Sequence, residues 1–514
     1  MSELESMSRD ELIRLARHQA TRLDEQDAVI ARQDAQITTL ATQLADVTDR
    51  LEQTTTKLAK LEHLLSRNSS NSSVPSSQDD DPGRTPPRRE RRAKPAGRAK
   101  GKQNGAEGTA LRWREDPDRR RDRFPTGSCP CGADLAQATD LGIVDRYQQH
   151  EIPLVSVKVT QYDQHAVACR CGRVHTADRP EGAGTGRIEY GPQLRAFAVY
   201  LMVMHFVPVH RCRELLASLT GAEPSVGFVH SLLMPTAAAL TEVDKMIRTL
   251  ITLAYAICCD ETPLRVGGAQ PAPGKKEAKG YLPVACTELY THYLLGDRSL
   301  DTFKAFVFTE LHDDAVIVHD RYQNYDSAQL GALTHQLCTA HLLRDLASAS
   351  ELYPKAAWPA QIADTLTELI HHANTARAAG RGRITPGALA LGVATFRHGV
   401  RVGLADTHGH GDRPGERTAR LLLEILRDRE GDVLRFAHDL KVPPTSNQAE
   451  RDLRPAKIQE KISGRLTDLG RAKDRYLIRG VLSTAVKHGQ DALAVLRNAF
   501  CGQLWFPPAA AALP

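Results

Sequence analysis

The sequence predicts a mixed α/β chain of several domains, and three observations carry that reading. Two short apolar, β-prone runs, Ala254–Cys259 and Ala315–His319, end abruptly at acids, Asp260 and Asp320. Long stretches of helical periodicity lie before, between and after them. Near the N-terminus Leu23, Ile30, Ile37, Leu44, Leu51, Leu58 and Leu65 recur every seven residues. With 514 residues, 41% of them hydrophobic, the chain can fill several domains and bury a large core.

The formal net charge is only +5, but its distribution is uneven. Pro82 to Arg123 holds 15 Lys/Arg against 6 Asp/Glu, or +9, which leaves −4 for the remainder. A local basic tract suits a nucleic-acid partner. The opening residues, MSELESMSRDEL, are polar and acidic, without the apolar region of a secretory signal. The longest apolar run, Ala196 to Val209, contains His205 and is too short to span a bilayer. A cytoplasmic, nucleoid-associated protein with no membrane segment is therefore expected. Four of the ten cysteines form C-x-C pairs and the rest are scattered through apolar stretches, as buried thiols in a reducing compartment would be.

In chain order, residues 1–66 read as a helix with a coiled coil over about 20–66. Taking the seven recurring residues as a positions, the d positions are Gln26, Gln33, Leu40, Val47, Thr54 and Leu61, so the seam becomes apolar from Ile37 onward. Homo-oligomerisation is its expected role. Residues 67–123 turn to Ser, Asn, Pro, Gly and Arg and read as a disordered basic linker, in which Arg88, Arg89, Arg91 and Arg92 can neutralise phosphates or merely solvate a tether.

Residues 124–182 read as a small zinc-ribbon-like domain. Cys129-Pro-Cys131-Gly and Cys169-Arg-Cys171-Gly resemble paired zinc knuckles, separated by strand-like segments such as Ile152–Val159. Zn²⁺ on Cys129, Cys131, Cys169 and Cys171 would be structural, since protein would fill all four positions; His175 is a substitute ligand. Residues 183–250 read as helical: His210–Thr220, a break at Gly221–Pro224, and a second helix capped by Ser225 form a helix-turn-helix pattern. The second helix is mostly apolar, which favours packing over groove contact.

Residues 251–500 read as the catalytic domain. After Asp260 and the Gly/Pro/Lys loop Gly267–Gly280 come two strand-like runs, YLPVACTEL and THYLLG, an antiparallel start to a sheet. His335, Cys338 and His341 are spaced by three, as along one helix that packs against or supports the site. Arg344 and Asp345 follow as supporting or surface groups. An α-helical insertion is expected over about 350–440, with helices at Trp358–Ala379 and Arg417–Asp439 flanking the loop Thr407–Asp412, whose His408 and His410 read as loop residues rather than metal ligands. Further helix runs to Phe500, and 501–514 reads as a disordered tail.

The stretch Pro443–Gly464, PPTSNQAERDLRPAKIQEKISG, sets one acid among cations. A loop ends near Thr445–Asn447 and a helix follows, with Glu450 in its first turn. Period 3.6 places Asn447, Glu450, Arg454, Lys457 and Lys461 on one face. That face suits a metal at one end and a phosphate backbone along the rest, although Asn447 and Glu450 also form a capping-box pattern. With Asp260 and Asp320, Glu450 would supply the hard oxygen ligands that two-metal phosphoryl chemistry uses, with no covalent nucleophile from the protein.

CDETPLRV, VIVHD, CTAHLLRDL and SNQAERDLRP resemble the corresponding motifs of the IS66 family of bacterial insertion-sequence transposases, and RNSSNSSVPSSQDD resembles that family's N-terminal Asn/Ser-rich signature. The likeness runs from about the coiled coil to near residue 490. It implies an RNase H-like core with a DDE triad on Asp260, Asp320 and Glu450, positions that spacing alone does not single out among 62 acidic residues. It further implies two Mg²⁺ (or Mn²⁺) ions on that triad, and DNA, as element ends and target, for a partner. Arg451, Arg454, Lys457 and Lys461 are the candidate DNA-binding residues, and accessory proteins of the same element are candidate partners. The alternatives are a non-catalytic DNA-binding accessory protein and a stand-alone metal-dependent nuclease.

Overall fold

The computed structural model describes residues 8–66, 111–152, 155–180, 183, 186–267, 280–409 and 415–509. The Asn/Ser-rich segment, Arg88, Arg89, Arg91 and Arg92, most of the loop Gly267–Gly280, His410 and the last five residues lie outside the described residues. The described residues fall into two compact units. One is drawn from Met1–Pro82, Gln164–Arg213 and Ser225–Pro514, the other from Gly83–Asp163 and Glu214–Pro224.

Helix α1 runs unbroken over Arg9–Ser66. Its apolar heptad positions Leu23, Ile30, Ile37, Leu40, Leu44 and Val47 are exposed, forming a stripe along one face. Strands β1 (Ala166–Ala168) and β2 (Val174–Thr176) form an antiparallel hairpin whose loop is the second C-x-C segment. The strand expected at Ile152–Val159 is absent: its described residues belong to no strand and stand exposed. Apolar β-formers without a partner to complete the ladder do not hold a strand.

Helices α2 (Pro192–Val203), α3 (Val209–Thr220), α4 (Val226–Ser231) and α5 (Leu233–Thr252) follow. Ser225 caps α4 as expected, its Oγ accepting the Phe228 N–H at 3.0 Å. Val226–Thr252 is the one helical stretch among the described residues long and apolar enough to cross a membrane. It is broken between α4 and α5, and α5 buries Leu240, Val243, Ile247 and Ile251 while packing on the C-terminal helix α13 (Leu469–Lys487) and the sheet.

The sheet has five strands: β3 (Ala256–Leu264), β4 (Gly280–Cys286), β5 (Thr291–Tyr293), β6 (Val316–His319) and β7 (Thr334–Leu337), in the order β5-β4-β3-β6-β7. The first three pair antiparallel; β6 joins β3 parallel and β7 joins β6 parallel. The central strands read apolar because both faces are covered. Beyond Cys258 only β4 pairs with β3, so Pro263, which has no N–H to give, sits where the ladder is one-sided.

The crossovers and flanks are helical: α6 (Leu300–Phe306), α7 (Thr339–Leu352), and then α8 (Trp358–Ala378), α9 (Pro386–Asp406), α10 (Glu416–Asp428) and α11 (Glu430–His438), which make up the expected helical insertion. The insertion has its own core, with Trp358, Leu366, Phe396, Leu423 and Phe436 buried together with Leu342 and Leu346 of α7. Each such side chain contributes roughly 1.5–3 kcal/mol on burial. Helices α12 (Asn447–Ser463), α13 and α14 (Ala492–Phe500) close the chain. The last two are separated where one helix was expected, because Gly489 turns the backbone at φ +72° and Asp491 starts a new helix by accepting the Ala494 N–H.

Candidate active site

Alternation along the strands fixes which acids meet. Cys258, Leu264, Val316 and Val318 share one face and pack with Ala449, Leu453 and Ala456 of α12. Asp260 and Asp320 have the same parity as those residues, so both turn toward α12. The parallel register pairs Cys258 with Val318; carried two residues further, it brings Asp260 beside Asp320 where the strands part. Glu450 lies in the first turn of α12, next to the buried Ala449.

This helix starts at a Ser446 N-cap whose side chain makes no capping bond. Glu450 does not complete a capping box. Its Oε1 instead accepts from Arg344 Nη2 at 3.2 Å and lies 3.9 Å from His341 Nε2. Gly464, at φ +71°, ends the helix, and Pro455 sits inside it.

Burial, the adjacent Glu261 and the Asp320 carboxylate push Asp260 up to about 8. Glu261, on the opposite face, is pushed up to about 7 by burial and by Asp320, although Arg298 and the Tyr325 hydroxyl oppose the rise. Asp260 Oδ1 accepts the Glu261 N–H at 2.8 Å, and Asp320 Oδ1 accepts the Tyr322 N–H at 2.9 Å. Asp260 and Glu261 are raised because burial disfavours the charged form and the neighbouring carboxylates repel it.

His341 sits among these acids. Burial works against its protonation, but Cys338, Asp260 and Asp320 together lift it above its ordinary value. His335, Cys338 and His341 do not share a helix as their spacing suggested. His335 belongs to β7, Cys338 is the N-cap residue of α7, and only His341 is helical. Asp345 on α7 pairs with Arg321, which holds a left-handed φ of +81° immediately after Asp320.

Behind Asp320, His319 Nδ1 accepts the Arg321 N–H at 3.2 Å, and its Nε2 lies 3.0 Å from His335 Nδ1. An Nδ1 that accepts leaves the proton on Nε2, so His319 donates to His335. Asp326 lies 3.9 Å beyond, at His335 Nε2. These three residues have ligand atoms within 4.8 Å of one another and could hold a metal ion. The hydrogen bonds use the His319 nitrogens to fix the loop that carries Asp320, on the sheet face away from Asp260.

Of the cations expected to bind DNA, Arg451, Arg454 and Lys461 are exposed and Lys457 is half-buried. The acid between them, Asp452, is not available to a ligand: it pairs with Lys487 at 2.8 Å and accepts the Thr291 hydroxyl at 2.9 Å.

The two C-x-C segments, each described within its own unit, are folded alike. Cys129 N–H donates to Ala133 O and Gly132 N–H to Cys129 O, both at 2.8 Å; Cys169 to Arg173 and Gly172 to Cys169 repeat the pattern at 2.8 Å. Gly132 and Gly172 hold φ of +91° and +84°, where glycine is unstrained. The Ala133 backbone and the Cys129 thiol draw Cys131 below its ordinary value, and the Cys171 backbone and thiol do the same for Cys169.

Glu261, Arg298 and the partnership of Arg344 with Glu450 were not singled out from sequence, because they arise where strands and helices distant in the chain meet. A signal for Glu261 was present in the doublet Asp260-Glu261, which strand alternation divides between two faces.

No curated protein matches the chain. Residues 19–112 match a family of unknown function (DUF6444). Residues 187–474, more than half of the chain and all of the elements that build this site, match the model of the Transposase IS66 family. A match of that extent, on the residues that gather Asp260, Asp320 and Glu450, makes this chain a member of the IS66 family of transposases, with the DNA binding and divalent-metal use that membership implies.

Proposed function

We propose that the protein is a DDE transposase that cuts DNA at the ends of its element and joins the freed 3′-hydroxyls to target DNA, with Asp260, Asp320 and Glu450 as the triad. The observation that carries this reading is the convergence of the three carboxylates. Asp260 lies within β3 just past its last pairing with the parallel strand β6, Asp320 follows the last residue of β6, and Glu450 comes from the helix packed on the same sheet face. The strand order β5-β4-β3-β6-β7, three antiparallel strands followed by two parallel ones, supports an RNase H-like core.

The donor set fits Mg²⁺ or Mn²⁺. Asp260 and Glu261 are held toward protonation by burial and by neighbouring carboxylates, a cost that divalent cations on hard oxygen ligands relieve. Asp260, Asp320 and Glu450 would hold two ions. When bound, such a pair activates the attacking oxygen and stabilises the leaving one.

The chain's own residues do the rest. Arg344 orients Glu450, and the Tyr322 N–H orients Asp320. Arg451, Arg454, Lys457 and Lys461 line α12 as phosphate contacts. In cleavage a water oxygen forms the new bond to phosphorus while the bond to the 3′-oxygen breaks. In joining, that 3′-oxygen bonds to a target phosphorus while the bond from that phosphorus to the target strand's 3′-oxygen breaks, and the target's 3′-hydroxyl leaves.

Helix α1 pairs with a second copy of this chain, because a seven-residue apolar repeat that is exposed in one copy is buried by a parallel partner. Such pairing brings two DNA ends together. Cys129, Cys131, Cys169 and Cys171 serve as structural zinc ligands, supported by the two matching turns.

The test is Mg²⁺-dependent cleavage of DNA carrying the element's ends. Asp320→Ala should lose cleavage and keep DNA binding; cleavage retained in that variant overturns the triad.

A further inference from the structure

Arg298 occupies the turn between β5 and α6. Its guanidinium carbon lies 4.6 Å from the ring centroid of Tyr281 on β4 and 4.2 Å from that of Tyr322, in the loop after β6. Nη2 donates to Glu261 Oε1 at 2.7 Å, and Asn324 Nδ2 donates to the Arg298 carbonyl at 2.8 Å. Three contacts therefore fix a long side chain that usually loses considerable rotamer entropy when held, and the fourth holds its backbone. Yet the side chain remains 40% exposed, whereas that of Glu261 is 1% exposed.

A guanidinium carries five N–H donors in a planar fork. Among the described residues only Nη2 is engaged by a side chain. Neutralising Glu261 would need no more than that single contact and no aromatic sandwich. The residues that hold Arg298 are also the immediate neighbours of the candidate centre: Glu261 follows Asp260, and the Tyr322 N–H is bonded to Asp320. A pre-organised fork facing solvent beside those acids matches the geometry of a phosphodiester.

We propose that Arg298 is a fixed phosphate clamp. It binds the non-bridging oxygens of a DNA phosphate beside the one that reacts, and Tyr281, Tyr322 and Glu261 act as its positioning residues. The inference rests on the transposase reading for its ligand, but not on the identity of the third acid. The cations of α12 differ from it in kind: among the described residues none of Arg451, Arg454, Lys457 and Lys461 is held between two aromatic rings.

The experiment measures DNA binding by the full-length protein in EDTA as a function of KCl concentration. The probes are a short duplex carrying an element end and an unrelated duplex. Arg298→Gln should lower the slope of log affinity against log salt by about one, equally on both probes, as expected for one lost phosphate contact. Arg298→Lys, which keeps the charge, should keep the slope.

The double variant Arg298→Gln with Glu261→Gln removes the buried carboxylate that the single variant leaves unpaired. It separates the clamp from charge neutralisation and also guards against a folding defect. Its slope should stay reduced. A wild-type slope in folded Arg298→Gln, or one restored in the double variant, overturns the clamp. Mg²⁺-dependent cutting by the unaltered protein is scored separately: a protein that binds with the full slope but never cuts fails the transposase reading, and the slope comparison still decides on Arg298.

Discussion

Asp452 lies two residues after Glu450 in the same motif and looks equally fit for catalysis, yet its surroundings assign it to the frame. Its side chain and that of Lys487 are 11% and 12% exposed and paired at 2.8 Å, and it also accepts from Thr291 Oγ1 at 2.9 Å and Gln448 Nε2 at 3.1 Å. These bonds tie α12 to β5 and α13. Breaking a buried pair by removing one partner costs about 3–5 kcal/mol. Lys487 would keep the Thr287 and Tyr290 carbonyls at 2.8 and 2.9 Å, so the lower end applies. Asp452→Ala should thus cost about 3 kcal/mol, or about 6–12 °C in Tm for a domain of this size. Asp452→Asn should lose less, and Glu450→Gln should leave Tm unchanged. Thermal unfolding of the three variants beside the wild type is the assay. An unshifted Tm in Asp452→Ala would refute the assignment, and lost cleavage without lost stability would move Asp452 into the chemistry.

Other outcomes follow from the same geometry. Asp260 is raised to about 8 in the folded protein, so the metal-free form binds that proton more tightly than the unfolded chain does. Its contribution is full below the unfolded carboxylate value and is lost as pH rises toward 8, by up to about 1.4 kcal/mol per pH unit. Asp260→Asn should therefore raise Tm in EDTA at pH 8, with the gain shrinking toward pH 4; a gain independent of pH would contradict the burial argument. Arg321 holds φ +81°, so Arg321→Gly should be about 1 kcal/mol more stable than Arg321→Ala by denaturant titration, both having lost the pair with Asp345. Purified protein should contain zinc by elemental analysis, and Cys169→Ser should lose it; equal zinc in both would remove Cys169 from the ligands.

The parts of the fold legible in the sequence were those that local chemistry dictates. The apolar run before Asp320 is a strand that ends at that acid, whereas β3 does not end at Asp260 as expected but runs on to Leu264, because β4 continues to pair with it after β6 has stopped; the loop before Asn447 does precede a helix with Glu450 in its first turn. The helical insertion was legible from periodicity, although α9 was missed and α10 and α11 were expected as one helix. What failed depended on partners far away in the chain. His335 looks helical by its spacing from Cys338 and His341, but β6 recruits it into a ladder. Ile152–Val159 looks like a strand, but none of its described residues joins a strand ladder. Arg298 carries no local signal, because its frame comes from three separate segments.

The most direct test of the proposal that these carboxylates bind the metal ions is a change of metal preference. A thiolate in place of a carboxylate is a poor ligand for Mg²⁺ and a better one for softer ions. Asp320→Cys should not cleave element-end DNA in Mg²⁺ and should recover cleavage in Mn²⁺ or Cd²⁺, while Asp320→Ala recovers in neither. Cleavage by Asp320→Cys or Asp320→Ala in Mg²⁺ at the wild-type rate would contradict the account.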